Sequence, residues 1–403
     1  MPLESELPLK GIRVVDYTHF LAGPYAARCL SAFGADVIKV ESPNGDAARG
    51  LPYTVKGHSG FFLQQNVGKY GVCVDAKKPD GLKLLHRLVS SADVFIENFR
   101  PGALDRLGLS YRQLSEINPG LIYCSLSAYG HTGEKSTKPG FGLIAEAMSG
   151  AMAQVGRPGE APPLLRMPIA DTLTGVHGVA AICAALYGRT RSGRGKHIDL
   201  ALYDCMVAMH DHALQRYVMS NGSDVPEQAD TQFPGLTIYG SFAAKDGYLV
   251  IAAQVDEAWA MLARLIGGDE LSGDPRFRLA RDRNRNREAA IKIVDEWVRS
   301  RPSRDSCIAR LEAAGIACAP VQTAAEVLQD KHLDQRHMFV EQLQGELGRV
   351  RLPGTPFRAS GYGGEESQPA PSRGQHNRAI AEALGYTSED IDRLIDEGVL
   401  CDG

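Results

Sequence analysis

The chain has 403 residues, with 44 Lys and Arg against 48 Asp and Glu, and it is 44% hydrophobic and 23% charged. That balance is ordinary for a globular protein of two or three domains and excludes the concentrated basic face of a nucleic-acid binder. No apolar run approaches the ~18 residues of a membrane span, and residues 1–10, with two Glu and two Pro, do not read as a targeting peptide, so a cytoplasmic protein is expected. Glycine is in excess, 43 residues in all, which predicts many turns or close backbone approaches.

In chain order, Gly11–Asp16 reads as a strand, Pro24–Phe33 as a helix and Asp36–Glu41 as a second strand. This is a βαβ unit, which implies parallel pairing and a right-handed crossover. Gly71–Asp75, a helix over about 80–90, Val94–Glu97, Leu121–Leu126 and His197–Ala201 continue the alternation, so a doubly wound α/β domain is predicted. Leu202–Val218 has a helical pattern. A polar break at Ser220–Asp230 is followed by Thr237–Ala243 and Tyr248–Ala253 around the turn Lys245-Asp246-Gly247, a hairpin signal. Helices then dominate to about Ala314, which marks a smaller second domain. Gly354–Gln375 is rich in Gly, Pro and Ser and reads as an ordered linker. Asn377–Leu384 and Ser388–Glu397 close the chain as helices. The division expected is 1–220, 221–330 and 331–403, the last completing the first domain.

The eight cysteines form no C-x-x-C pair and read as buried thiols of a reducing compartment. His210 and His212 flank Asp211, but two residues on a helix diverge by about 200°, so no metal site is expected. Six Arg between Arg276 and Arg287, diluted by Asp and Asn, read as a solvated helix start. The loop after the first strand carries Gly23 alone, followed by Pro24. It lacks the G-x-G-x-x-G of a dinucleotide site, and no phosphate-loop or G-x-S-x-G pattern occurs elsewhere.

Six blocks carry a resemblance: Y-T-H-F-L-A-G-P-Y-A-A (Tyr17–Ala27), F-G-A-D-V-I-K-V-E (Phe33–Glu41), E-N-F-R-P-G-A-L-D-R-L-G (Glu97–Gly108), L-S-A-Y-G (Leu126–Gly130), M-P-I-A-D-T-L-T-G (Met167–Gly175) and S-G-R-G-K-H-I-D-L-A-L-Y-D (Ser192–Asp204). With R-G-Q-H-N (Arg373–Asn377) they resemble the family III CoA-transferases, relatives of formyl-CoA transferase and carnitine CoA-transferase. The resemblance implies a Rossmann-like large domain with an inserted smaller α+β domain, in an interlocked homodimer. It implies transfer of coenzyme A from an acyl-CoA to a carboxylic acid, with CoA as cosubstrate, no bound cofactor and no metal. No nucleic acid and no membrane are expected as partners.

By motif, Asp171 is the implied nucleophile. It precedes an apolar helical stretch, and a helix N-terminus would hold its carboxylate ionised. Phe20, Leu21 and Ala22 occupy the stretch that passes the thioester in relatives, and Lys77, Asn98, Phe99 and Arg106 match CoA-lining positions. Lys138 lies near another. Leu21 stands where formyl-CoA transferase has Gln, so backbone N–H groups would have to stabilise the oxyanion. The 2-methylacyl-CoA racemases share the fold but place a His where Phe141 stands, in Gly140-Phe141-Gly142, and Phe141 cannot take an α-proton. His131 and His177 read as structural or surface residues. Gly142 suggests room for a small dicarboxylate acceptor, and Gly175 and Gly178 suggest tight packing behind Asp171. The turn Phe233–Leu236 falls near a glycine-rich loop of some relatives. A racemase and a non-catalytic acyl-CoA binder remain the alternatives.

Overall fold

A computed structural model describes residues 7–229, 231–360 and 368–401. Part of the N-terminal segment and part of the linker expected at Gly354–Gln375 lie outside the described residues. The chain divides into two compact units, Met1–Met152 with Leu164–Met219 and His332–Gly403, and Ala153–Pro163 with Ser220–Lys331. Residues 153–163, expected in the first part, belong with the second unit.

The first unit is built on six strands: β1 (Arg13–Tyr17), β2 (Asp36–Glu41), β5 (Tyr70–Cys73), β6 (Val94–Glu97), β7 (Ile122–Ser127) and β8 (Lys196–Ala201). The short pair β3 (Thr54–Val55) and β4 (His58–Ser59) stands apart. The order across the sheet is β5-β2-β1-β6-β7-β8, every pairing parallel. Chain order reverses between β1 and β6, the switch point of a doubly wound sheet, where ligands sit at the carboxyl ends of the strands. β1 and β2 are covered on both faces, so their apolar residues fall on both sides and the charged Asp16, Lys39 and Glu41 are buried among them. Val15, Val40, Val72 and Phe95 face one core with Leu84, Leu88 and Ile391. Val14, Val37, Val94 and Ile122 face the other with Leu30 and Ile182.

The helices of this unit are α1 (Ala22–Ala32), α2 (Gly60–Asn66), α3 (Pro79–Ser90), α4 (Tyr111–Ile117), α5 (Gly142–Met148), α6 (Ile169–Ser192), α7 (Leu202–Ala208) and α8 (Ala213–Met219), with two more at Asn377–Ala383 and Ser388–Asp396. The single helix expected over Leu202–Val218 is thus two. His210 lies in the break, where its Nε2 meets the Ser149 carbonyl at 2.8 Å, so the expected opposed directions on a helix do not apply. Among the described residues no group of three or more His, Cys, Asp or Glu could hold a metal ion.

α6, 24 residues long, is long and apolar enough by length and composition to cross a membrane, although Asp171, Thr172, Thr174 and His177 interrupt its apolar residues. One face, with Ala170, Thr174, Gly178 and Ile182, is buried. A Cβ at Gly175 would meet the Ala22 carbonyl oxygen at 2.9 Å, so α6 lies directly on α1.

The second unit has an antiparallel sheet of β9 (Tyr239–Ala244), β10 (Gly247–Ala252) and β11 (Ala317–Pro320) in the order β11-β10-β9. Helices from Asp256 to Ala313 pack on it through Trp259, Leu262, Val294 and Trp297. Arg283 corrects the expectation of a solvated basic run. It is fully buried and donates to the carbonyls of Phe277, Arg278 and Gln254. The turn at Phe233–Leu236 is tied to its own unit, with Asn284 donating to the Gly235 carbonyl and Arg287 to that of Leu236. In the first unit, β12 (Phe339–Gln344) and β13 (Gly348–Pro353) form a hairpin that the sequence reading does not resolve.

Candidate active site

The segment between β1 and α1 is fixed from three sides. The His19 N–H donates to Asn98 Oδ1 at 2.9 Å and the Asn98 amide returns a bond to the His19 carbonyl at 2.7 Å. The Phe20 N–H donates to Asp46 Oδ1 at 3.1 Å. The fully buried Lys39 donates to the Thr18 carbonyl at 2.6 Å and pairs with Asp46 at 2.9 Å. These bonds hold Phe20 at φ 63°, a conformation that costs a non-glycine residue of order 1 kcal/mol or more. Gly23 is required because a Cβ there would meet Thr18 Cγ2 at 2.4 Å.

The result is a cavity of about 420 Å³ at the switch point, lined by residues that include Phe20, Ala22, Asn98, Phe99, Arg106 and Asp171. Six of the nine expected site residues therefore meet in one place. Leu21 does not line it, since its side chain is 5% exposed and belongs to the core. Lys77 and Lys138 are exposed and also lie outside the lining. Their backbone N–H groups close local turns onto Asp75 and Lys135.

Phe141 lines it too, and among the other lining residues His19, Arg100 and Ser127 are polar side chains that received no role from the sequence. All three lie inside blocks that carry the family resemblance, Tyr17–Ala27, Glu97–Gly108 and Leu126–Gly130, which was the available signal. The His19 ring stands edge-on to Phe20 at 4.9 Å and Phe99 at 5.0 Å. Burial holds its pKa below the usual imidazole value, against the pull of Asp46. Arg100 and Arg106 are exposed guanidinium groups without a carboxylate partner among the described residues, a fit for phosphate or carboxylate.

Asp171 is the third residue of α6. The helix was expected to hold it ionised at neutral pH, and it is still ionised there, but with a pKa above the usual carboxylate value. Burial and then the neighbouring Glu146 push it up to about 6, because desolvation outweighs a helix-end contribution typically worth about 0.3–1 kcal/mol. The carboxylate occupies the space beside Gly142, where a Cβ would lie 2.0 Å from Asp171 Oδ2. The room at Gly142 is therefore filled by Asp171, not left for an acceptor. Phe141 is 64% exposed and meets the Phe20 ring edge-on at 6.1 Å. His177 is exposed and bonded to the Leu173 carbonyl, and His131 lies 3.7 Å from Glu97. Neither lines the cavity.

The family model described as CoA-transferase family III matches residues 9–377. The chain is similar to the succinyl-CoA:glutarate CoA-transferase of Mus musculus, 34% identical over 98% of this chain and 91% of that protein. It is also similar to the succinyl-CoA–D-citramalate CoA-transferase of Chloroflexus aurantiacus, 32% identical over 96% of each. Among solved structures, a CaiB/BaiF family protein from Brucella suis superposes with a TM-score of 0.84, with 36% identity over 94% of this chain and 99% of that one.

Proposed function

The chain belongs to CoA-transferase family III, and from that premise we propose that it moves CoA between two small dicarboxylic acids with Asp171 as nucleophile. The observation that carries this reading is the Asp171 carboxylate, without a hydrogen bond from any described residue, in a cavity shared with Phe20, Ala22 and Arg106. The choice of dicarboxylates rests on the names of the relatives and on two unpaired arginines at the cavity, which can take CoA phosphates and a second carboxylate.

In the first step an Asp171 oxygen attacks the thioester carbonyl. A C–O bond forms, the C–S bond breaks and CoA leaves as thiolate. The thiolate attacks the aspartyl carbon of the mixed anhydride, releasing the donor acid and leaving an aspartyl-CoA thioester. The acceptor carboxylate then displaces CoA, and the thiolate attacks the acceptor's acyl carbon, freeing Asp171. The His19 and Phe20 N–H groups are engaged, whereas those of Ala22 and Gly23 open α1 with no intrahelical partner. They are the donors available to the oxyanion in place of a side chain at Leu21.

Lys77 and Lys138 fit phosphate contacts only at the outer end of a long CoA. Exposed apolar residues on α6 and α8, among them Val176, Tyr187, Val218 and Met219, support an interlocked homodimer. Eight free cysteines fit a cytoplasmic protein.

The deciding experiment is a matrix of acyl-CoA donors against carboxylic acids, with mass spectrometry of trapped Asp171 adducts. Transfer should vanish in Asp171→Ala; unchanged transfer, or no CoA exchange with any pair, sinks the proposal. Exchange of the α-proton into deuterated water without acceptor would instead favour a racemase, with His19, the imidazole that lines the cavity, as its base.

A further inference from the structure

We propose that Glu146 is a positioning residue for Asp171, a buried negative charge that disfavours the free nucleophile and so favours its covalent intermediates. This rests on the reading of Asp171 as nucleophile.

Glu146 follows Gly142 by four residues on α5, so both face the first turn of α6. Gly142 is the seat of the Asp171 carboxylate, and Glu146 Oε1 accepts the N–H of Ala170, the residue just before it, at 3.3 Å. Glu146 is only 3% exposed. No Lys, Arg or His pairs with it among the described residues, an uncommon state for a buried carboxylate. The Ala170 bond fixes its direction without neutralising it.

Other titratable groups surround the first turns of α6. Tyr25 of α1 packs against Gly175, and Cys205 of α7 bonds Thr174. His19, Arg100 and Arg106 line the cavity. Tyr203 and the exposed Asp204 on α7 line a separate depression with Tyr129 and Lys135. Glu146 is the buried anion in this set. Its repulsion is present when Asp171 is a free carboxylate and absent when Asp171 is an anhydride or thioester, both uncharged at that atom. Each covalent state is therefore favoured relative to the resting enzyme, and the free carboxylate is more basic and more nucleophilic. The upward pKa of Asp171 agrees with this.

The test is Glu146→Gln, whose amide oxygen can still accept the Ala170 N–H. The expected result is a kcat about tenfold lower with KM for acyl-CoA unchanged, and an acid limb of the pH profile moved about one unit lower. Glu146→Asp, which keeps the charge, should leave the limb in place. A 13C NMR titration of the Asp171 carboxyl in the resting protein gives the same shift without turnover. An unmoved titration and limb in Glu146→Gln, even with reduced kcat, would mean a packing role and overturn the proposal. Failure to find Asp171 adducts in the unaltered enzyme would remove the nucleophile reading, while the titration would still report whether Glu146 acts on Asp171.

Discussion

At Asp171 two physical effects compete. The dipole of α6 favours an anion at its first turn, although the Ile169 and Ala170 N–H groups there are already bonded to the Met167 carbonyl and to Glu146, while burial and Glu146 disfavour the anion and prevail. The chemistry then has a pH signature: transfer needs the ionised carboxylate, so kcat/KM should fall as pH drops through about 6. A profile flat down to pH 5 would remove this carboxylate from the rate-determining chemistry. Stability has the opposite sign. A carboxyl whose folded pKa is raised from 3.8 to about 6 penalises the fold fully above pH 6, and the penalty declines as pH falls from 6 to 3.8. Asp171→Asn should therefore be inactive yet more stable at pH 7.5, by about 1–3 kcal/mol, with the gain shrinking toward pH 5. Urea unfolding at the two pH values measures it; equal stability throughout would contradict the burial argument.

At the scale of elements, the β1–α1 segment shows how a strained backbone is maintained. Burial favours neutral forms, but Lys69 and Lys39 hold Asp16 ionised, and Asp16 and Asp46 hold Lys39 charged. Lys69 bonds Asp16 at 2.8 Å, so two cations and two anions close under the loop that carries Phe20. Removing one partner leaves a buried charge and two orphaned N–H groups, so Asp46→Ala should cost about 3–5 kcal/mol, read by chemical denaturation. Asn98→Ala removes only the clamp on His19. It should leave Tm within a few degrees while lowering kcat/KM by about tenfold or more through misplacement of the loop. If both variants retained full activity, the loop geometry would not matter to transfer.

Lys39, a lysine inside D-V-I-K-V-E, received no reading from the sequence, because its partner Asp46 joins it only through the bend after β2. Strand β2 itself was legible to the residue, since its Val and Ile residues follow a turn at Phe33–Gly34 and complete a βαβ unit. The pair Phe339–Gln344 and Gly348–Pro353 escaped because its alternation is broken by Gly345 and Gly348, which make the turn.

Across the whole molecule, the first unit leaves apolar side chains in water that a single copy does not cover: Val176 and Tyr187 on α6, with Tyr187 67% exposed, and Val218 and Met219 on α8. Such surface supports the proposed homodimer. Val176→Asp with Tyr187→Asp should convert a dimer into monomers of reduced activity, as seen by sedimentation velocity. A wild-type protein that sediments as a monomer at micromolar concentration would refute the dimer.

The sequence by itself determined the family, the alternating β/α order and the residue proposed as nucleophile, because these are written in contiguous motifs and periodicities. The tertiary structure alone decided that Leu21 belongs to the core, that Lys77 and Lys138 lie outside the cavity, that the space at Gly142 is occupied by Asp171, and that the pKa of Asp171 rises. Each of these depends on which groups from distant segments exclude water from one another, and spacing along a chain carries no record of that.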